Sequence, residues 1–244
     1  MTTILVTRPE PDLGHSTVRL RALNLDAVKL PLMRRVTLPT ALPPATGFGG
    51  IAISSANALR SLDERGAVRA YEKLPVFTVG DGSAREAQFL GFGDVRSANG
   101  SFEDLVALIA EARLAGPILY PSGTRLSGDL EAALARYGVS VTTVPVYEME
   151  EAGDIPQALL GQIASGRIDA GLFYSRRTAS IFAELAAPHI GERGKEDFAV
   201  LCISRKAAEP LVAAGFKRVL VASHPDEEAM MTLTLAFARA QNAS

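Results

Sequence analysis

The chain has almost nothing with which to staple itself. One cysteine, Cys202, stands among 244 residues, so no internal disulfide can form. It lies in the apolar run "AVLCIS", where a buried structural thiol is the default. Net charge is also small: 25 Lys and Arg against 27 Asp and Glu leave −2 with the histidines neutral. A nucleic-acid partner would want a strongly basic face, so none is expected. No apolar run approaches the roughly 20 residues needed to cross a bilayer. The opening "MTTILVTRPEP" has no basic region, apolar region and cleavage site of a secretory leader. These absences lead us to expect a cytoplasmic protein with no membrane attachment.

Catalytic signatures are equally scarce. No GxGxxG follows the first apolar run and no GxxxxGK[ST] occurs, which speaks against dinucleotide and P-loop sites. His15, His189 and His224 are scattered, with no metal-ligand spacing. There is no GxSxG elbow, and no histidine suits a Ser-His-Asp triad. The "NGS" at 99–101 matches a glycosylation sequon, which is irrelevant to a cytosolic chain. Hydroxyls, backbone dipoles and phenols remain to do the chemistry.

What is present is a regular α/β rhythm. Hydrophobic residues make up 48% and charged residues 21%, the balance of an ordinary globular protein with a sizeable core. Short β-rich runs recur: "TILVT" (3–7), "AVKLPLM" (27–33), "GIAIS" (50–54), "PVFTVG" (75–80), "PILYP" (117–121), "VTTVPVY" (141–147), "AGLFYS" (170–175), "AVLCIS" (199–204) and "RVLVAS" (218–223). Helical patterns separate most of them, including 16–25, 58–62, 84–90 and 128–137. Continuous apolar strands alternating with helices predict parallel sheet covered on both faces.

The rhythm is written twice. "VFTVGDGSAREAQFLGF" (76–92) overlays "VLCISRKAAEPLVAAGF" (200–216) without a gap, Ala84 on Ala208 and Gly91 on Gly215. Residues 3–33 overlay 117–147, with Leu5 on Leu119, Pro31 on Pro145 and Met33 on Tyr147. "IAISSANALRSL" parallels "GLFYSRRTASIF", placing Ser55 on Ser175. "ANGSFEDLVALI" and "ASHPDEEAMMTL" both open a helix, with Ser101 and Asp104 reading as a capping box and Pro225 suiting a first helical position. Four pairs in one order point to internal duplication.

In open parallel sheets ligands bind beyond the carboxyl ends of the strands, where helix N-termini present bare N–H groups. Those tips read Thr7-Arg8-Pro9, Ser54-Ser55-Ala56-Asn57, Gly80-Asp81-Gly82-Ser83, Pro121 to Arg125, Ser175-Arg176-Arg177-Thr178 and Ser204-Arg205-Lys206. Hydroxyls and glycines dominate. Arg8, Arg125, Arg176, Arg177, Arg205 and Lys206 face few acids, chiefly Glu10, Asp12 and Asp81, so a nearly neutral chain can carry a locally positive site. Any one of these arginines could instead solvate a loop or pair with a neighbour.

These residues resemble the uroporphyrinogen-III synthase family over essentially the whole chain, and its alphaproteobacterial branch in particular. The carriers are "ILVTRPEPD", "LPLM", "ISSANALR", "VFTVGDGSAREAQFLGF" with "SANGSFEDL", "ILYPSGTRLSGDLEAALARYGVSVTTVPVYEME" and "DAGLFYSRRTASIFAEL". The resemblance implies an α/β, bilobed fold: two similar Rossmann- or flavodoxin-like parallel-sheet domains joined by two antiparallel linker strands, with the substrate cleft between them. It places a discontinuous domain at 1–35 plus 152–244 and an inserted domain at 36–151, with linkers near 34–38 and 147–151. Two short strands make a narrow hinge, so relative motion of the domains is expected.

The implied reaction is cyclisation of hydroxymethylbilane, a linear octacarboxylate tetrapyrrole, to uroporphyrinogen III with loss of water and inversion of ring D. The family uses no cofactor and no metal, and it suggests a monomer. A transient hand-over from the preceding pathway enzyme is compatible with it. Tyr147 occupies the tyrosine that follows "VPV" in the family, and a protonated phenol can donate to the departing hydroxyl; an aromatic that merely ends a strand is the other reading. Thr7, Arg8, Ser55, Asn57, Gly80, Ser83, Ser101, Ser175, Arg176, Ser204 and Lys206 are the expected substrate-binding residues, taking carboxylates rather than doing chemistry. One tip departs from the pattern: "ISRKAA" stands where the family commonly has "IGPTTA", which puts a hydroxyl role there in doubt. A non-catalytic bilobed anion-binding protein is the alternative reading. A Rossmann-like transferase is a third, and it lacks the glycine-rich turn.

Overall fold

A computed structural model describes residues 2–98, 100–126 and 128–242, the side chain of Asn242 excepted. Asn99, the acceptor of the sequon, lies outside the described residues. The first stretch of chain forms β1 (Thr3–Val6), α1 (Asp12–Ala22), β2 (Asp26–Lys29) and β3 (Met33–Thr37). The second forms β4 (Gly50–Ile53), α2 (Ala56–Glu64), α3 (Val68–Tyr71), β5 (Val76–Thr78), α4 (Asp81–Phe89), β6 (Val95–Ser97) and α5 (Phe102–Glu111). Then come β7 (Ile118–Gly123), α6 (Leu130–Ala135) and β8 (Val141–Glu151). The last stretch gives α7 (Gln157–Ala164), β9 (Ala170–Phe173), α8 (Arg176–Ala186), α9 (Glu192–Asp197), β10 (Ala199–Cys202), α10 (Arg205–Ala213), β11 (Arg218–Val221) and α11 (Glu227–Asn242).

Two compact units result: Met1–Arg34 with Glu150–Ser244, and Arg35–Met149. The first holds a five-stranded sheet in the order β11-β10-β9-β1-β2, and the other sheet runs β3-β8-β7-β4-β5-β6. Leaving β3 aside, the two orders are the same once the written repeats are matched. The ladders agree residue by residue. Leu5 faces Val28 as Leu119 faces Thr142, and Ile4 faces Ala170 as Ile118 faces Gly50. Val200 faces Val219 as Val76 faces Val95. Every one of these pairings is parallel, and the first unit has the flavodoxin-like order 2-1-3-4-5. The second unit is the same fold entered at a different strand.

The chain passes between the units along β3 and β8, which are neighbours in the sheet. Leu38 donates to the Val146 carbonyl at 2.8 Å and Ala152 to the Leu32 carbonyl at 3.0 Å. Numbers that rise on one strand fall on the other, the mark of antiparallel pairing. The proline-rich stretch 38–49 has no regular element but is pinned: Tyr71 donates to the Pro43 carbonyl, and Arg65 to that of Thr40 at 2.7 Å.

Cores follow the alternation of the strands. In the first unit Ile4, Val6, Leu172 and Leu201 pack with Leu13, Leu20 and Met230. Phe173 points the opposite way, into a ring cluster in which Phe182 lies 5.0 Å from Phe173 and 5.8 Å from both Phe198 and Phe216. In the second unit one face packs Ile51, Ile53, Leu119, Val144 and Val146 against Leu59 and Leu62 of α2. The other packs Phe77, Ile118 and Tyr120 against α5 and α6. Each fully buried aliphatic of this kind contributes about 1.5–3 kcal/mol.

Several boundaries differ from the sequence expectations. α1 begins at Asp12 rather than 16, because the Glu10 carboxylate takes the Gly14 N–H at 3.0 Å and stabilises an earlier turn. It ends at Ala22, and Asn24 then reverses the chain at φ 57. "AVKLPLM" breaks into β2 and β3 around Pro31, whereas its repeat continues through Pro145 as one strand. The short strand β6 had no counterpart among the predicted runs. Pro225 precedes α11 rather than opening it; the Asp226 carboxylate caps the helix by accepting the Ala229 N–H at 2.8 Å. α6 spans Leu130–Ala135, shorter than the predicted 128–137.

Candidate functional site

A parallel sheet with following helices gathers the strand tips of each unit at one edge. In the second unit, Ser55 caps α2 by accepting the Asn57 N–H at 3.3 Å, and the Asn57 side chain accepts from Arg60 and reaches the Met149 sulfur at 3.7 Å. Ser54 and the Tyr120 hydroxyl lie 2.8 Å apart. Burial pushes the Tyr120 phenol above its ordinary pKa, opposed by that Ser54 bond and reinforced by Tyr147 nearby. Gly80 opens α4 in extended conformation, with no side chain over the helix N–H groups. Asp81 accepts from Ser97 at 2.7 Å. Ser83 lies half-buried in the first turn. Ser101 accepts the Asp104 N–H at 3.0 Å and donates to the Asp104 carboxylate at 2.6 Å, so the predicted pair caps α5.

In the first unit the same positions carry Ser175 and Ser204. Ser175 caps α8 at 3.1 Å and shares a hydroxyl contact with Thr178 at 2.8 Å. Ser204 caps α10 at 3.3 Å. Thr7 is fully buried, and its hydroxyl donates to the Leu172 carbonyl at 2.6 Å, so that side chain fastens β1 to β9. Only its backbone can face a ligand.

The six tip cations divide sharply. Arg8 is held by Asp12 at 2.9 Å and by Glu227, donates to Ser16 at 3.2 Å, and stacks 4.1 Å over the Tyr174 ring. Burial, then the Glu227 charge, drives the Tyr174 phenol well above its ordinary pKa. Glu227 comes from the far end of the chain, and no local signal marks it as a partner of Arg8. Arg177 pairs with Glu151 at 2.8 Å, and Arg176 with Glu209 at 3.5 Å in an exposed pair. Arg125, Arg205 and Lys206 are exposed and, among the described residues, have no ion-pair partner. Positive potential at the tips therefore rests on those three.

Tyr147 is half-buried on β8, its carbonyl accepting the Thr124 N–H at 3.0 Å. The ladder between β7 and β8 shifts beside it: Ser122 faces Pro145, but Gly123 faces Tyr147. Cys202 is buried and unpaired, its thiol pushed up to about 12 by desolvation. Among the described residues no group of three or more His, Cys, Asp or Glu could hold a metal ion. Nor, among them, is any helix long and apolar enough to cross a membrane.

Fold and tips together define a class: a duplicated flavodoxin-like α/β protein whose strand tips carry helix N-termini and, among the described residues, three cations without ion-pair partners. A family model described as uroporphyrinogen-III synthase HemD matches residues 15–232, and the chain belongs to that family. It is accordingly a cyclising lyase of tetrapyrrole biosynthesis, forming uroporphyrinogen III from hydroxymethylbilane. Among solved structures, the uroporphyrinogen-III synthetase of Helicobacter pylori is 19% identical, with a TM-score of 0.67 over 97% of this chain and 100% of that one. A mutant uroporphyrinogen III synthase of the extreme thermophile Thermus thermophilus is 16% identical, with a TM-score of 0.58 over 100% of both chains. Both likenesses concern the fold. No curated protein sequence matches the chain significantly.

Proposed function

We propose that this chain carries out the cyclisation by orienting the substrate through its carboxylates at the strand tips and donating one proton from Tyr147. The observation that carries the reading is the set of helix N-termini at equivalent tips of both units: α2, α4 and α5 in one, α8, α10 and α11 in the other. Each offers an anion roughly 0.3–1 kcal/mol. Ser55, Asn57, Gly80, Ser83, Ser101, Ser175, Arg176 and Ser204 form these tips, and Lys206 adds a charge free to meet a carboxylate. Thr7 and Arg8 serve indirectly, holding the end of β1 in place.

Hydroxymethylbilane loses its hydroxyl readily, so the task is to hold the terminal rings in one arrangement while ring D inverts. An acid that protonates the departing hydroxyl completes the requirement, and the Tyr147 phenol supplies it. We further propose a cytoplasmic monomer that receives its substrate from the preceding enzyme of the pathway; the buried, unpaired Cys202 suits a reducing compartment. The test is to supply freshly made hydroxymethylbilane and identify the product isomer. Isomer III at an enzyme-dependent rate is expected; isomer I alone, at the spontaneous rate, would overturn the reading.

A further inference from the structure

Tyr147 sits where it does because β8 carries one residue too many. Pro121 faces Val144 and Ser122 faces Pro145, but the next pair is Gly123 with Tyr147, which leaves Val146 without an opposite number. Such a bulge re-aims the side chains that follow it. Val146 and Tyr147, consecutive in sequence, therefore turn to the same face: Val146 is buried in the cluster under α2 and Tyr147 packs on its margin. The ring then lies across the backbone of Gly123. A Cβ at Gly123 would stand 2.9 Å from Tyr147 Cζ, 3.0 Å from Cε2 and 3.1 Å from the hydroxyl oxygen. Ordinary van der Waals contact begins near 3.4 Å. Gly123 does not occupy the left-handed region, so the backbone itself has no need of glycine there. The ring does. In the written repeat the same two positions hold Pro9 and Met33, with neither the gap nor the hydroxyl.

We propose that Gly123 is a positioning residue for the reaction: its bare Cα is the seat on which the bulge lays the Tyr147 phenol, fixing the hydroxyl over the carboxyl end of β7. The inference rests on the reading of Tyr147 as the proton donor. Filling the seat would push the ring outward by a few tenths of an ångström or more, and misplacements on the order of 1 Å can cost about a hundredfold in rate.

The experiment compares Gly123→Ala, Tyr147→Phe and the double variant by kcat and KM for isomer III. Gly123→Ala is expected to lower kcat by roughly 10- to 100-fold with KM little changed. Placed on Tyr147→Phe it should add almost nothing, since the hydroxyl it positions is already gone. Equal losses in both backgrounds would mean general damage and overturn the inference. So would a normal rate for Gly123→Ala beside a crippled Tyr147→Phe, which would leave the reading of Tyr147 standing. A normal rate for Tyr147→Phe would sink that reading, and this inference with it. A second readout is independent of turnover: 19F NMR of the protein labelled with fluorotyrosine at its 5 tyrosines. Gly123→Ala should move the resonance that Tyr147→Phe removes and leave the others in place; an unmoved resonance would overturn the inference.

Discussion

At the start of α4 the chain places Gly80 and Asp81; at the equivalent start of α10 it places Ser204, Arg205 and Lys206. The ladders behind these tips are in the same register, and the helices that follow have the same length. One tip is bare and carries an acid engaged by Ser97, while the other is capped by a hydroxyl and carries two cations without ion-pair partners among the described residues. The contrast repeats at the linker strands, where Tyr147 of one unit answers Met33 of the other. Scaffold and tip have separated: the strands and helices are duplicated, and the Ser55 cap recurs as Ser175, but the charges at the tips of α4 and α10 do not match. Packing constrains both units alike, since a lost methylene in either core is felt. A tip is bound only by what it touches.

The comparison breaks most visibly at the phenol. Tyr147→Phe should lower kcat for isomer III by about 10²–10⁴-fold with folding intact, the usual scale of a lost general acid. Adding Met33→Tyr to that variant should restore nothing; recovery of the rate would mean that the units are interchangeable. At the next level, Lys206→Ala should raise KM about fivefold, as loss of roughly 1 kcal/mol from an exposed charge would do. Asp81→Asn should move KM the other way, and both effects should shrink in high salt.

The caps offer a finer contrast. Ser175 binds the Thr178 N–H at 3.1 Å and its hydroxyl as well, while Ser55 makes a single bond of 3.3 Å. Ser175→Ala should therefore cost more stability than Ser55→Ala, within the roughly 0.5–2 kcal/mol typical of such caps, as read from denaturant midpoints. Smallest is the pair that ties β3 to α2. Hydrogen bonds from Arg35 and then Thr37 hold the Glu64 carboxyl at about 2, down from 4.5. A depressed carboxyl contributes stability above its unfolded value and loses it as pH falls through the folded one. The Tm advantage over Glu64→Gln should thus be full above about pH 4.5 and vanish towards pH 2. Glu64 is half exposed, so solvent screening keeps the effect below about 1 kcal/mol.

Much of the fold was legible. Short apolar runs marked out most of the strands, and the overlay of 3–33 on 117–147 foreshadowed ladders that match pair for pair. β6 escaped because "DVRS" holds one apolar residue; its place comes from pairing with β5, a long-range fact. The tips were legible as sites of small and hydroxyl residues, since capping is local chemistry. What could not be read was partnership across the chain. Asp12 stood near Arg8 in the sequence, but nothing local showed that Glu227, from the opposite end, would close on it as well. The seat under Tyr147 was equally hidden, because a bulge belongs to two strands at once. Gly123 stood in the quoted "PSGTR", and nothing local says what lies above it.

The insertion of one unit into the other sets an order of events. β1 must find β9, and Ile4 pairs with Ala170. On the ribosome, therefore, β1 can pair with β2 at once, but its other edge waits while the whole of 35–149 emerges and can close its own sheet. Synthesis delivers the contiguous unit first and leaves one edge of β1 unsatisfied until Ala170–Phe173 have emerged, the kind of interval in which nascent chains lean on chaperones.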